Sequence, residues 1–181
     1  MTKLHFDDLR DQFHQGLHIN GHPFRFATLG TTGLDNEPQL RMVVIREVTE
    51  NFIFRFYTDA RTEKIKQLKK NNQTSLLFYH QTAFIQVKVS GRATIVTDKT
   101  TLQNHWKNLP LHAHKDYSTT AAPGSSIENP EEITFLQDQN HFSIVEITAT
   151  RMEYLKLNTT QHLKVQFLKT DSEWYGEFLV P

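Results

Sequence analysis

Residues 40–64, LRMVVIREVTENFIFRFYTDARTEK, hold two runs rich in β-branched and aromatic side chains, Leu40–Val48 and Phe52–Thr58, followed at Arg61 by a segment of helix formers. Outward from this centre the same strand chemistry recurs. Phe24–Thr32 precedes it across Gly33-Leu-Asp-Asn-Glu-Pro38, and Thr74–His80 and Phe84–Val96 follow. Connections this short require antiparallel neighbours. Further strands are expected at Phe142–Leu157, His162–Phe167 and Trp174–Val180. The fold class is therefore mainly β and antiparallel, with helices on its flanks.

The helices are read from apolar spacing. Phe6, Leu9, Phe13 and Leu17 fall at steps of three and four, giving an N-terminal helix (within residues 1–20) that runs to about His18. Arg61–Lys70 carries Ile65 and Leu68 on one face and crosses between two strands. A helix over Lys99–Leu109 stops before Pro110, and another is expected to start at Pro130, with Glu131 and Glu132 in its first turn favouring the helix dipole. Residues 111–129, including Ala-Ala-Pro-Gly-Ser-Ser, form the one long loop. With no internal repeat or linker, 181 residues suit one domain, 1–181.

Composition excludes several functions. Lys and Arg total 20 and Asp and Glu total 20, with no long like-charged run, so neither nucleic acid nor a membrane surface is an expected partner. The absence of cysteine removes disulfides, thiolate metal sites and cysteine nucleophiles together. The opening MTKLHFDDLRDQFHQ lacks the apolar region of a signal peptide, and no stretch approaches the ~20 apolar residues of a membrane-spanning helix. A cytoplasmic protein with a small-molecule partner is expected. Histidine pairs such as His14/His18 and His112/His114 do not reach the three or four convergent ligands a metal requires, so no metal site is assigned.

Two segments, Arg41-Met-Val-Val-Ile-Arg46 and Tyr57-Thr-Asp-Ala-Arg-Thr-Glu-Lys64, put fixed positive charge beside a strand-to-helix turn, where backbone N–H groups lack partners and anions are favoured. Asp59 or Thr62 can cap the helix. Arg61 and Lys64 fall in its first turn, where cations oppose the dipole unless a bound phosphate reverses the sign. A solvated basic helix beside strand-edge arginines is the competing reading. Arg41 and Arg46 are five residues apart, ~16 Å along a strand, with side chains on opposite faces, so they cannot both grip one phosphate.

Arg41–Arg46, Phe54-Arg-Phe-Tyr-Thr-Asp59, Lys64, Gln86-Val-Lys-Val-Ser-Gly91 and Met152-Glu-Tyr-Leu155, in this order, resemble the pyridoxamine 5'-phosphate oxidase family of FMN proteins, in its oxidase-like branch. The resemblance runs from about Phe24 to the C-terminus. It implies an FMN-binding split β-barrel, Greek-key-like, that forms a homodimer with FMN at the subunit interface. It further implies that Arg41, Thr62 and Lys64, with Arg61 in addition, contact the FMN phosphate. Met42 and the backbone of Val43, Val44 and Ile45 would line the isoalloxazine edge, Tyr57 and Thr58 would lie beside the ribityl phosphate, and Gln86 would hydrogen-bond the flavin. Arg46, also counted with the cofactor-binding run Arg41–Arg46, would face the substrate together with His162 and Lys164.

The chain departs from the true oxidases where they hold the substrate phosphate. The second helix ends His105-Trp-Lys-Asn-Leu-Pro110 without their arginine. Thr160-Gln-His-Leu-Lys164 lacks the arginine of their late Arg-x-His, and Leu155 stands in place of a tryptophan. Each lost charge-assisted contact is worth ~1.5–3 kcal/mol. The expectation is an FMN-dependent oxidoreductase of unassigned substrate. The alternatives are a non-catalytic FMN or haem carrier on the same barrel and a genuine pyridoxamine 5'-phosphate oxidase.

Overall fold

The computed structural model describes residues 2–171 and 173–181. In chain order its elements are α1 (Thr2–His18), β1 (Phe26–Thr32), β2 (Pro38–Val48), β3 (Ile53–Asp59), α2 (Glu63–Lys70), β4 (Gln73–His80), β5 (Ile85–Ile95), α3 (Lys99–Lys107), α4 (Leu111–His114), β6 (Phe142–Lys156), β7 (Leu163–Lys169) and β8 (Trp174–Leu179). The strands form one antiparallel sheet ordered β3-β2-β1-β4-β5-β6-β7-β8. β3 also pairs along its whole length with β6, from Ile53↔Thr148 to Asp59↔Phe142. That second pairing closes six strands into a barrel and leaves β7 and β8 as an extension of β6.

Alternation along the strands fills the barrel. Ala27 and Leu29, Val43 and Ile45, Phe54 and Phe56, Leu76 and Phe78, and Val87 and Val89 point inward and are buried. Helix α1 covers this core with the predicted stripe. Phe13 meets Phe54 and Phe78 at ring separations of 4.9 and 5.0 Å, and Phe6 meets Phe52 and Phe167 at 5.2 and 5.1 Å. Gly16 lets the helix approach closely, because a Cβ there would stand 2.8 Å from the Phe24 carbonyl carbon. A smaller cluster outside the barrel joins Leu109, Tyr117, Phe142 and Ile144 to Tyr57 and Trp106.

Phe52 opens no strand. Its φ of 55° places it in a left-handed turn in which its N–H donates to the Thr49 carbonyl at 2.9 Å, and burial of its ring offsets a backbone cost of about 1–3 kcal/mol. The helix expected from Pro130 is a single 3₁₀ turn, Pro130–Glu132. The residues after it are drawn into extended pairing, with Thr120 N–H donating to the Thr134 carbonyl at 2.9 Å and a bridge joining Thr119 to Phe135. The 111–129 segment is not loop throughout. It begins with α4 and a 3₁₀ turn over Lys115–Tyr117, fixed by buried Tyr117 and by His114 stacked at 4.0 Å on Trp106. No described helix is long and apolar enough to cross a membrane.

His22 links the end of α1 to the barrel. Its Nδ1 accepts the Phe24 N–H at 3.2 Å, and its ring centre lies 5.3 Å from that of His80. Burial, and then His80, hold its pKa below the ordinary 6.5. Below pH 6.5 the unfolded chain binds the proton first, so stability falls as pH drops through 6.5 toward the lower folded value and is fully present above 6.5. Urea unfolding at pH 7.5 and 5.5 checks this. His22→Asn, which keeps a side-chain acceptor, is expected to lose less stability across that interval than the native chain.

Candidate cofactor site

β2 and β3 part company at Arg46. They pair over Val48↔Phe54 and Glu47↔Arg55, slip register between Ile45 and Glu47, and end at Ile45↔Phe56. Beyond that point residues 40–44 pair with β1 alone and Tyr57–Asp59 with β6 alone. A wedge thus opens between two strand edges that carry backbone donors and acceptors. Val43 and Ile45 point into the core, whereas exposed Met42 and half-buried Val44 face outward.

At the mouth of this wedge, Arg41 donates through Nη1 to Thr31 Oγ1 and through Nη2 to Gln67 Oε1 at 2.8 Å. Gln67 Oε1 also accepts the Thr31 hydroxyl at 2.7 Å. Lys64 Nζ donates to Thr58 Oγ1 at 3.1 Å, and Thr58 Oγ1 lies 3.3 Å from Thr62 Oγ1. Thr62 is the N-cap of α2, but its hydroxyl donates to the Asp59 carbonyl at 2.8 Å and caps nothing. Asp59 does not cap either; its carboxylate is occupied by Arg61.

The charges here are unbalanced. Burial lowers the pKa of Lys64, nearby Arg41 lowers it further, and only Asp59 opposes. Burial lowers Arg41 as well. Among the described residues no carboxylate pairs with either cation. Two desolvated cations with three hydroxyls beside a helix N-terminus fit a phosphate dianion.

Arg61 is directed elsewhere. Its Nε and Nη2 grip the two Asp59 oxygens at 3.1 and 2.7 Å, and Nη2 and Nη1 donate to the carbonyls of Thr119 and Thr120 at 2.8 and 3.0 Å. Arg46 lies on the other side of β2 from Arg41, beside Tyr57. Its guanidinium carbon lies 5.5 Å from the Tyr57 ring centre, and its Nε is buried without a hydrogen-bond partner. Tyr57 Oη meets His105 Nδ1 at 2.8 Å. Burial raises the pKa of both Tyr57 and Tyr117, with Arg46 opposing in each case.

Gln86 is exposed on the outer face, in a register line that runs Tyr79, Gln86, Leu155, Lys164 across β4 to β7. It stands three strands from β2, ~14 Å at the usual strand spacing, so one chain does not bring it to the phosphate clamp. His162 is exposed and holds the turn before β7, its Nδ1 accepting the Asn158 N–H at 3.2 Å. Among the described residues no three metal-ligating side chains converge. Sequence reading missed Thr31, Gln67, His105 and Tyr117. Only Gln67 left a signal, three residues after Lys64 on one helix face.

Residues 7–97 match the family model described as pyridoxamine 5'-phosphate oxidase, FMN-binding domain. A pyridoxine/pyridoxamine 5'-phosphate oxidase 2 of Arabidopsis thaliana is 25% identical over 172 residues, covering 86% of this chain and 87% of that protein. A pyridoxine/pyridoxamine 5'-phosphate oxidase of Psychrobacter cryohalolentis is 36% identical over 73 residues, 40% of this chain and 33% of that one. Among solved structures, a pyridoxamine 5'-phosphate oxidase-related, FMN-binding protein of Nostoc punctiforme superposes with a TM-score of 0.79 at 19% identity, covering 97% of this chain and 96% of that one. PhzG from Burkholderia lata, in complex with tetrahydrophenazine-1-carboxylic acid, gives 0.77 at 16% identity over 99% and 91%. At such identities these two likenesses carry the fold alone. The chain belongs to the pyridoxamine 5'-phosphate oxidase family of FMN-binding domains, and FMN is its cofactor.

Proposed function

We propose that the protein is an FMN-dependent oxidoreductase of the oxidase-related branch, with a substrate other than a phosphorylated B6 vitamer. The observation that carries the cofactor half is the Arg41–Lys64 pair, two part-buried cations without a carboxylate. These two side chains bind the phosphate, with the Thr58 and Thr62 hydroxyls beside them. The backbone of residues 41–44, unpaired on its β3 side, lines the isoalloxazine. When bound, FMN supplies the hydride or electron chemistry.

Arg46, over Tyr57 and beside Tyr117, is the cation available on the opposite face to orient an anionic substrate. Helix α3 contributes His105 there and no arginine, and His162 is engaged with its own turn. Thr160 stands where the true oxidases carry their late arginine. A substrate phosphate therefore has fewer anchors than in those enzymes.

A homodimer follows from two features. Phe26, Leu40, Met42, Leu77 and Tyr79 are exposed on one outer face of β2, β1 and β4, and a two-fold partner is the commonest cover for such a patch. Gln86, expected to hydrogen-bond the flavin, stands three strands from β2 in its own chain, so a second copy is what would bring it to a flavin held along β2. The apolar residues of Phe142–Leu157 are mostly core and add little to such a patch. Among the described residues, the exposed apolar surface near the C-terminus comprises Leu157, Leu168, Tyr175, Phe178 and Val180.

Four measurements test this reading. Mass spectrometry of released cofactor should give FMN and not FAD. Lys64→Met should weaken FMN by roughly ten- to a hundredfold, the worth of one charge-assisted contact, while riboflavin, which lacks the phosphate, binds as before. The ligand-free variant should unfold at the same temperature or higher, because it has lost a desolvated charge. In a steady-state assay of FMN-saturated protein, pyridoxamine and pyridoxine phosphates should be oxidised with a kcat/KM roughly a hundredfold or more below that of a true oxidase, from two missing contacts of ~1.5–3 kcal/mol each. Efficient turnover would return the protein to the true oxidases.

A further inference from the structure

Residues 119–135 are mostly exposed, with few hydrogen bonds to the rest of the fold. Every residue from 123 to 135 is exposed. The segment encloses a cavity of about 390 Å³ lined by residues that include Thr120, Ala122, Pro123, Ile127 and Ile133. Its own cohesion is a short paired stretch, with Thr120 N–H to the Thr134 carbonyl at 2.9 Å, the two threonine hydroxyls at 2.7 Å, and Leu136 N–H to the Ser118 carbonyl at 2.7 Å. Two strands paired this briefly are marginal in water unless fastened to something larger.

Among the described residues the fastening is Arg61. Its guanidinium donates to the Thr119 and Thr120 carbonyls and to Thr119 Oγ1 at 3.2 Å, while its other edge holds both oxygens of Asp59. The Asp59 carboxylate is 2% exposed, and it also accepts the Arg61 backbone N–H at 2.8 Å. A planar fork suits this bridge, with one edge for a carboxylate and the remaining N–H groups for carbonyls.

We propose that Arg61 is a positioning residue and not a phosphate ligand. It latches the 119–135 segment to the turn that carries the clamp, and by neutralising Asp59 it leaves Lys64 free for the phosphate. Asp59 is the one group that favours the charge on Lys64 against burial and Arg41. Without Arg61, an unpaired buried carboxylate would compete with phosphate for Lys64.

The latch does not depend on FMN, so it is tested first on ligand-free protein. Arg61→Ala should speed hydrogen exchange across 119–136, and thermolysin nicking before Ile127 or Ile133, by at least about tenfold while the protein still unfolds in one cooperative step. Arg61→Met, which keeps the aliphatic stem but has no donor for the carbonyls or the carboxylate, serves if the alanine variant does not fold, and the same tenfold change is expected of it. The second half rests on the phosphate clamp and is read as the ratio of FMN to riboflavin affinity. That ratio should fall about tenfold or more in Arg61→Ala and return to within about threefold of the native value in Asp59→Asn/Arg61→Ala, which removes both charges. Exchange and nicking unchanged in the single variant, or a ratio still depressed in the double variant, overturn the proposal. A native protein that does not prefer FMN to riboflavin would instead sink the clamp and leave the exchange result standing.

Discussion

Strand β3 is shared unequally between two neighbours, and the site depends on that inequality. With β6 it pairs from end to end; with β2 it pairs only beside the turn that joins them. The full ladder keeps the barrel closed, so the short one can end early without opening the core. Where it ends, two strand edges carry backbone groups that must find water or a ligand, because an unpaired buried N–H or C=O costs as much as a lost hydrogen bond. A planar ring edge with donors and acceptors answers such an edge better than a side chain does. The register slip at Arg46 marks this boundary, and Arg41 and Arg46 lie on opposite faces of β2, Arg41 beside Thr31 and Gln67 and Arg46 over Tyr57.

The surroundings of four arginines in this part of the sheet separate cations whose charge a carboxylate satisfies from cations without one. Arg55 lies in the same sheet and meets Glu47 and Glu146 at 2.5 and 2.6 Å. These two carboxylates raise its pKa despite its burial, and its charge is spent within the fold. Arg41, with a hydroxyl, a side-chain amide and the Gln39 carbonyl as its partners, is lowered by burial. Arg46 has a ring face and an unpartnered Nε. Arg61 belongs with Arg55, since Asp59 satisfies its charge and raises its pKa. Composition counts all four as equal. What distinguishes them is whether a carboxylate lies within reach, and in two of these four cases the fold supplies one.

This distinction explains how much the sequence discloses. Alternation along β1 to β6 and the stripe on α1 were legible because each is local: a period of two or 3.6 needs no knowledge of what packs against it. Phe52 was misread as strand because its composition suits a strand and its left-handed turn is imposed by the β2–β3 connection. Pro130-Glu-Glu carries sound helix-start chemistry, yet two bonds to Thr120 and the bridge to Phe135 outweigh it after one turn. The candidate clamp at Arg41, Thr62 and Lys64 could be picked out because charge beside a strand-to-helix turn is itself a local signal, and the fold brings hydroxyls of Thr31, Thr58 and Thr62 beside those two cations. Arg61 had the same local signal and a different partner. Its role is set by the carbonyls of Thr119 and Thr120, 58 and 59 residues along the chain, and main-chain carbonyls leave no trace in a sequence. A cation in a promising turn therefore marks a candidate anion site, and only its carboxylates and carbonyls, once located, say whether the charge is still available to a ligand.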